Sequence, residues 1–206
     1  MNKKTDRFRV SHSLLTLWDN NKIDQAVSTY FHIGGFDSPA MQQGRDLHKK
    51  WQDSILKDKK LTVGANTFKF DTPVVEFGDK GELNKPYNEL WDIGGRFDAL
   101  DGTTLYEFKS GVKDSLDYAG GYQIPFYFLL AELSNIKIET AYLIHYNQHT
   151  DKADFTIIHN SPWQIERVRN WIDSNAHEIF TYFKDNFLIG DTTSSYVPID
   201  FRLAIC

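Results

Sequence analysis

Apolar residues in the first third of the chain recur at helical spacing, whereas the rest mixes strand-like and helix-like segments. The apolar positions between 14 and 18 predict a first helix, which Ser11 or Ser13 would cap. A second, shorter helix is predicted over 23–31. Ser38-Pro39 combines an N-cap residue with a first-turn proline, and it predicts a third helix that extends to about residue 56.

Short alternating segments follow Leu61 and predict a change from helices to strands. Strands are predicted over 67–70, 73–77, 88–100, 103–109, 137–145 and 153–159, and helices over 122–135 and 162–187. The segments 78–87 and 111–121 have the polar, glycine-containing composition of connectors. This order predicts an α/β fold with a mixed central β-sheet flanked by helices, preceded by an N-terminal helical segment.

Length and composition predict one globular domain. The chain has 206 residues, of which 41% are hydrophobic and 25% charged, so a sizeable core is expected without disulfide bonds. We divide it into a helical part over 1–60, an α/β core over 61–189 and a tail over 190–206. The longest apolar segment, 124–130, is too short to span a bilayer, and the N-terminus lacks the apolar segment of a signal peptide. We therefore expect a cytoplasmic, intracellular protein with no membrane partner.

Cysteine usage and charge narrow the possible functions. Cys206 is the only cysteine, which argues against an intramolecular disulfide bond, a cysteine-rich zinc site and an iron–sulfur cluster. Residues 1–60 hold eleven Lys and Arg against seven Asp and Glu, although the whole chain has a net charge of −5. An acidic total argues against non-specific coating of nucleic acid, but it is compatible with an enzyme that binds a polyanion through one basic part.

Two carboxylates and a lysine come together in the segment 95–111. A two-residue turn at Asp101-Gly102 would set Leu100 opposite Thr103 and Asp98 opposite Leu105. Because side chains alternate along a strand, Asp98, Glu107 and Lys109 would then share one face. The other face would belong to the core and would carry Phe97, Ala99, Thr104, Tyr106 and Phe108.

Carboxylates crowded in this way need a neutralising partner, because each raises the pKa of the other. Lys109 alone would make a surface ion pair, and the spacing by itself does not decide against that explanation. A divalent cation would neutralise the carboxylates more fully, since Mg²⁺ favours one or two carboxylates together with water and phosphate oxygens. Such a site with a lysine beside it is suited to the hydrolysis of phosphodiesters.

The hairpin also resembles a known family signature. Asp98 followed by Glu107-Phe108-Lys109 resembles the D…(D/E)-x-K signature of the PD-(D/E)XK nuclease superfamily, although Phe97 stands where the family has proline. Gln123 and Tyr127 resemble the Q-x₃-Y motif of the RecB-like exonuclease branch of that superfamily.

Two upstream segments extend this resemblance toward the N-terminus. His48 resembles the metal-binding histidine of the RecB-like branch, and the segment 9–20 is similar to the serine-and-helix segment with which that branch begins. The matching elements therefore stand in the family's order along most of the chain.

The resemblance implies a restriction-endonuclease-like core and a nuclease that cleaves DNA, with Mg²⁺ or Mn²⁺ as its cofactor. The implied metal ligands are His48, Asp98, Glu107 and the carbonyl group of Phe108. Lys109 would position or activate the attacking water. Gln123 and Tyr127 would lie beside the site, where they would orient Lys109 or contact a phosphate.

Several other residues are candidates for the margin of the site. Glu76 and Asp92 are expected near the metal ligands. The candidate contacts to nucleic acid are Lys49, Lys50, Lys57 and Tyr122. A solvated helix face explains the three lysines equally well. We interpret Asp101 as a turn residue, His12 as a neighbour of a helix cap, and His145 and His149 as surface residues.

The chain departs from some members of the branch in one respect. The CRISPR-associated exonuclease and the AddB nuclease hold an iron–sulfur cluster with four cysteines, which this chain lacks, and no phosphate-binding loop of a helicase is present. We therefore expect a stand-alone nuclease domain without an iron–sulfur cluster.

An exonuclease of DNA repair, recombination, or phage or mobile-element DNA processing is favoured. The alternatives are a structure-specific or restriction-type endonuclease, an RNA substrate, and a catalytically inactive nucleic-acid-binding protein on the same fold. A homo-oligomer and a recombination or repair partner are left open.

Overall fold

The computed structural model of the chain describes residues 7–32, 38–77 and 82–187, which contain six helices and ten strands. The helices are α1 (His12–Asp19), α2 (Ile23–Tyr30), α3 (Pro39–Asp58), α4 (Ser115–Ala119), α5 (Gln123–Leu133) and α6 (Pro162–Phe187). The strands are β1 (Phe8–Ser11), β2 (Lys60–Val63), β3 (Asn66–Lys69), β4 (Val74–Phe77), β5 (Leu83–Pro86), β6 (Trp91–Gly95), β7 (Phe97–Asp101), β8 (Thr104–Ser110), β9 (Thr140–Asn147) and β10 (Lys152–His159).

A five-stranded mixed sheet forms the centre of the fold, with strand order β10-β9-β8-β7-β4. Strands β8 and β9 pair in parallel, and the other neighbours pair antiparallel. The connection between the two parallel strands contains α4 and α5, as a parallel crossover requires. A second sheet has the order β1-β6-β5, and β2 and β3 form a hairpin of their own.

Helix starts follow the sequence signals. The side chain of Ser11 accepts a hydrogen bond from the backbone N–H of Leu14, and the side chain of Ser38 accepts one from Met41, each at 3.2 Å. Pro39 occupies the first turn of α3, where its missing N–H costs no hydrogen bond. Helix α5 differs, because all residues from 124 to 131 are buried. A helix that is apolar on every side belongs to the interior.

Two hydrophobic clusters pack against opposite faces of the five-stranded sheet. Leu105 lies in the cluster formed with α1, α5 and α6, and the next residue, Tyr106, lies in the cluster formed with α3 and β2. Because neighbouring side chains on a strand point to opposite faces, the central strands are covered on both sides. The predicted mixed sheet flanked by helices is therefore confirmed.

Three local predictions are wrong. Residues 8–11 form a strand in the part predicted as helical, because they pair in parallel with β6. Residues 83–86 form a strand in a predicted connector, where they pair with the other side of β6. The predicted strand 88–100 is two strands, because the chain passes from one sheet to the other at Arg96.

The hairpin turn lies one residue later than predicted. The observed pairs are Leu100 with Leu105 and Asp101 with Thr104, so the loop is Gly102-Thr103. Asp101 belongs to the strand because its carboxylate accepts hydrogen bonds from the backbone N–H groups of Asp71 and Thr72, at 2.9 and 2.8 Å. Pairing therefore shifts by two residues, which leaves the side chains of the paired residues 99–101 and 104–106 on their predicted faces.

The predicted tail, 190–206, lies outside the described residues, and the division of the chain into three parts stays a prediction. In the part of the chain that the structure describes, no helix is both long and apolar enough to cross a membrane.

Two glycines with the same backbone conformation provide a test of the packing. Gly64 and Gly102 both have left-handed φ, at +58° and +56°, but a Cβ on Gly64 would lie 2.7 Å from the Cβ of Ala153, whereas a Cβ on Gly102 would meet nothing within 4 Å. We expect G102A to lower the free energy of unfolding by about 1 to 2 kcal/mol through backbone strain alone. G64A should cost roughly 1 to 3 kcal/mol more, because the β2–β3 hairpin must move away from β10. Urea titrations of both variants measure the difference, and equal losses would contradict this packing.

Candidate active site

Asp98 and Glu107 are direct neighbours across the β7–β8 hairpin. Continuing the observed register by one pair sets them opposite each other, rather than diagonally as the sequence predicts. The Oδ2 atom of Asp98 accepts a hydrogen bond from the backbone N–H of Phe108 at 2.8 Å. In a regular ladder that N–H would bond to the backbone of Phe97. The carboxylate therefore interrupts the ladder and is held against β8.

The interruption also changes which face Phe97 takes. Its ring lies 5.2 Å from the ring of Tyr127 and belongs to the cluster around α5, whereas Ala99 belongs to the opposite cluster. The prediction that Phe97 and Ala99 share a face is therefore wrong. Strict alternation fails at Asp98, where the ladder is broken.

Glu107 is buried in a polar pocket made by Lys109 and α5. Its side chain is 3% exposed, and its Oε1 atom accepts hydrogen bonds from Lys109 Nζ and Gln123 Nε2, both at 2.6 Å. The same Gln123 nitrogen donates to the hydroxyl of Tyr127 at 3.1 Å. Gln123 thus orients Glu107, whereas the resemblance implied that Gln123 would orient Lys109 or contact a phosphate. Among the described residues, Glu107 Oε2 has no hydrogen-bond partner.

Burial gives these groups unusual proton affinities. Burial, and then the neighbouring charge of Asp98, raises the pKa of Glu107 to about 8. Burial by itself lowers the pKa of Lys109, but the Glu107 and Asp98 carboxylates outweigh it, and the net direction is upward. Burial, followed by the two carboxylates, raises the pKa of Tyr127 well above its usual value. With a pKa of about 8, Glu107 is mostly protonated at neutral pH, so the Lys109 ammonium balances the Asp98 carboxylate. Ionising Glu107 as well would require further positive charge.

His48 approaches the site from α3. A Cβ on Gly44 would lie 2.9 Å from the hydroxyl of Ser110, so the missing side chain lets the helix lie close to the end of β8. The His48 ring stacks on Trp51 with centroids 5.7 Å apart and meets Phe108 edge-on at 6.0 Å. Burial, and then Lys109, lowers the pKa of His48 against the opposing pull of Asp98. Its buried Nε2 atom has no hydrogen-bond partner among the described residues.

The donor set fits a divalent cation in type. In residues 7–32, 38–77 and 82–187, no group of three or more His, Cys, Asp or Glu side chains is arranged to hold a metal ion. Mg²⁺, however, is commonly bound through one or two carboxylates, with water and substrate phosphates as the remaining ligands. The paired carboxylates and the unpartnered Glu107 Oε2 meet that requirement, and the neutral His48 ring adds a nitrogen donor near them.

Glu76 and Asp92 are not brought into this cluster. Glu76 is exposed and makes an ion pair with Arg96 at 3.2 Å. Asp92 lies on β6 of the other sheet, where its carboxylate accepts hydrogen bonds from Arg7 at 3.4 Å and Asn84 at 3.2 Å. Counting alternation from Asp92 to Asp98 assumed one continuous strand, and the change of sheet between them invalidates that count.

The residues predicted to contact nucleic acid lie on two different elements. Lys49, Lys50 and Lys57 are exposed on α3. Tyr122 is half-buried directly before α5, and its ring is parallel to that of Trp171 at a centroid distance of 4.4 Å. Their contacts to nucleic acid stay a prediction.

Sequence reasoning missed one buried histidine. His145 was expected at the surface, but it is 2% exposed and pairs in register with Lys109. Its Nε2 lies 3.1 Å from the Gly111 carbonyl oxygen, and its Nδ1 lies 3.3 Å from the Asp154 carboxylate. The alternation of Ala141, Leu143 and His145 along β9 was the available signal, since all three are buried.

His12 is the first residue of α1, directly after the cap residue Ser11, as predicted, but its packing was not predicted. Its ring packs against Phe126 and Trp171, with centroids 6.1 and 5.8 Å apart. Burial, and then the charge of Lys109, lowers the pKa of His12 to about 4. Since these contacts join residues far apart in the chain, no local pattern could reveal them.

The fold is shared with solved alkaline exonucleases. No family model and no curated protein matches the sequence. The crystal structure of LHK-Exo in complex with dAMP has a TM-score of 0.54, is 13% identical, and covers 87% of this chain and 93% of its own. The alkaline exonuclease LHK-Exo from Laribacter hongkongensis, in another crystal structure, has a TM-score of 0.53 and 13% identity over 86% of this chain and 92% of its own. Identity this low establishes the common fold, in agreement with the predicted α/β class.

The raised pKa of Glu107 predicts a specific dependence of stability on pH. A carboxyl group whose pKa is higher in the folded state loses its stabilising contribution as pH rises from the unfolded value to the folded one, here from 4.5 to about 8. In EDTA, we expect the wild-type protein to lose stability relative to E107Q across that range, because the amide does not ionise. Melting temperatures between pH 5 and pH 9 provide the measurement. E139Q, which changes an exposed glutamate, is the control, and a constant difference between wild type and E107Q would contradict the assignment.

Proposed function

We propose that this chain is a metal-dependent nuclease that hydrolyses phosphodiester bonds in DNA. The observation that carries the proposal is the buried Glu107 carboxylate, bonded to Lys109 and Gln123 and set opposite Asp98. Burying a carboxylate beside another is costly unless charge compensates it. A cation-dependent site explains that cost, whereas a surface ion pair does not, because Glu107 is not at the surface.

The comparisons support an exonuclease in particular. Two crystal structures of one structural neighbour, the alkaline exonuclease LHK-Exo, match over most of the chain, and one of them is a complex with dAMP. The hydrogen bonds from Gln123 to Glu107 and Tyr127 join the two motifs that resemble the RecB-like branch. The proposal is therefore of a nuclease of that branch of the PD-(D/E)XK superfamily, without an iron–sulfur cluster.

Asp98, Glu107 and His48 would hold Mg²⁺ or Mn²⁺, together with the carbonyl oxygen of Phe108. A bound divalent cation lowers the pKa of the attacking water and polarises the phosphoryl oxygen. The Phe108 N–H fixes the Asp98 carboxylate, and Gln123 fixes Glu107, so both ligands are positioned before substrate binds. Positioning of this kind removes the cost of ordering the ligands during the reaction.

Lys109 acts as a cation in this proposal and not as a base. The carboxylates around it hold its pKa above the usual lysine value, so the ammonium group stays protonated at neutral pH. A fixed ammonium can orient the attacking water and stabilise the charge that develops on the phosphoryl oxygens. A neutral lysine that removes a proton from water would require the opposite shift.

Cleavage assays with variants of the hairpin test the function. We expect Mg²⁺- or Mn²⁺-dependent loss of end-labelled linear DNA with the wild-type protein, and a decrease of at least about 100-fold with K109A or D98A, because K109A removes the ammonium that stabilises charge on the phosphate and D98A removes a proposed metal ligand. K137A, which removes an exposed lysine, should cleave like the wild type. Circular dichroism shows whether each variant is folded, and full activity of both K109A and D98A would contradict the proposal.

Circular substrates separate the alternative functions. An exonuclease leaves closed circular DNA intact, whereas an endonuclease opens it. Cleavage of RNA but not of DNA would change the substrate. Metal-independent DNA binding without cleavage under any divalent ion would favour a catalytically inactive binding protein.

Metal binding can be measured without activity. At pH 8, saturating Mn²⁺ should raise the melting temperature of the wild-type protein, because a ligand at 100 times its Kd stabilises the folded state by about 2.7 kcal/mol. D98N and E107Q should lose most of that increase, since each removes a ligand charge, and E139Q should keep it. An equal Mn²⁺ response in all four proteins would place the metal elsewhere.

A further inference from the structure

We propose that Trp163 is a stacking platform for an unpaired base of single-stranded DNA next to the candidate active site. This inference rests on the proposed function and names a substrate-binding site for it. Trp163 lies in the first turn of α6 and is 63% exposed. The other four tryptophans of the chain are buried or half-buried.

Trp163 is the outer member of a continuous series of contacts, the aromatic stack. The stack consists of Trp163, Arg167 and Trp171 on α6 and Tyr122 before α5. The Arg167 guanidinium carbon lies 5.2 Å from the Trp163 ring centroid and 4.7 Å from that of Tyr122. The Tyr122 and Trp171 rings are parallel, with centroids 4.4 Å apart. Residues 163, 167 and 171 follow each other at helical spacing along one face of α6.

Backbone contacts hold the stack in place. Arg167 donates hydrogen bonds from Nη2 to the carbonyl oxygens of Gly121 at 2.5 Å and Gly120 at 3.4 Å. Trp171 is buried, and its indole N–H donates to the Asp19 carboxylate at 3.2 Å. These contacts explain Arg167 and Trp171 as the joint between α6 and the start of α5. Trp163 takes no part in these backbone contacts, and its ring is 63% exposed.

The stack is joined to the candidate active site through the chain itself. Tyr122 directly precedes Gln123, which donates to Glu107. Trp171 also packs against His12, whose pKa is lowered by burial and then by Lys109. The platform and the candidate active site are therefore connected through two consecutive residues, Tyr122 and Gln123.

The chemistry of the stack matches a nucleotide. An exposed indole offers a face to any base, and base–aromatic stacking is tolerant of sequence. The Arg167 guanidinium beneath it supplies a positive charge for the neighbouring phosphate, and it strengthens the stack through cation–π attraction. Bases in a duplex are already stacked on each other, so this platform selects an unpaired base.

Binding of a labelled oligo-dT of 20 nucleotides, measured in EDTA to prevent cleavage, tests whether Trp163 is a stacking platform. We expect W163A to bind about 5- to 100-fold more weakly than the wild-type protein, as expected for loss of stacking on one base, and W163F to recover part of the affinity. L90A, which removes another exposed apolar side chain, should bind like the wild type. Titration with oligo-dT should quench the tryptophan fluorescence of the wild-type protein, and W163F should lose that quenching.

An abasic oligonucleotide of the same length isolates the stacking contribution. It keeps the phosphates and lacks the bases, so the wild-type protein and W163A should bind it equally. Equal binding of oligo-dT by W163A and the wild type would overturn the platform, as would the same loss on the abasic strand. Tighter binding of oligo-rU than of oligo-dT through Trp163 would overturn its assignment to DNA.

The outcomes distinguish this inference from the proposed function. Base-dependent binding through Trp163 without cleavage under Mg²⁺ or Mn²⁺ would keep the platform and reject the nuclease. Metal-dependent cleavage with unchanged binding by W163A would keep the nuclease and reject the platform.

Discussion

The burial of one carboxylate, that of Glu107, determines how the centre of this protein is built. A buried carboxylate requires hydrogen-bond donors and compensating charge, and the fold provides them from different elements. Lys109 comes from the same strand and Gln123 from α5. Asp98, which adds repulsion, is held by a backbone N–H of β8. Helix α5 is otherwise buried among apolar residues, and the hydrogen bond from its first residue, Gln123, to Glu107 positions it.

This arrangement links stability to function. Without a cation, burial and the charge of Asp98 favour the protonated form of Glu107, since Lys109 only partly offsets them and the pKa stays raised at about 8. Polar contacts nearby fix the end of β8. His145 lies beside Lys109 in the neighbouring strand and contacts Gly111 and Asp154. Strain in a site of this kind is tolerated where binding of a ligand relieves it.

The parts of the fold that could be predicted from the sequence are those that depend on local interactions. Caps and helical spacing located the helices, since those signals act within one turn, as Ser11 and Ser38 show. Asp98, Glu107 and Lys109 share a face as predicted, although the hairpin turn was predicted one residue too early. A register shift of two residues leaves every side chain of a regular strand on the same face. Short strands such as β1 and β5 could not be predicted, because their partner is β6 and pairing is not a local property.

The errors in the candidate site have the same origin. Alternation predicts faces only within an unbroken strand. It failed for Asp92, which lies beyond the change of sheet at Arg96, and for Phe97, where the Asp98 carboxylate interrupts the ladder. It would have succeeded for His145, whose strand is regular.

The start of α5 contributes to both the candidate active site and the proposed base-stacking site. Gln123 faces the carboxylates, and the residue before it, Tyr122, joins the aromatic stack. Because the two are consecutive, a movement of α6 that shifts Tyr122 must also disturb the hydrogen bond to Glu107. Arg167 restrains that movement by bonding to the carbonyl group of Gly121. A base on Trp163 would add to the same restraint, so occupation of the stack would favour the oriented form of Glu107. If the proposals hold, a base bound on Trp163 would reinforce an orientation of Glu107 that Gln123 already sets without substrate.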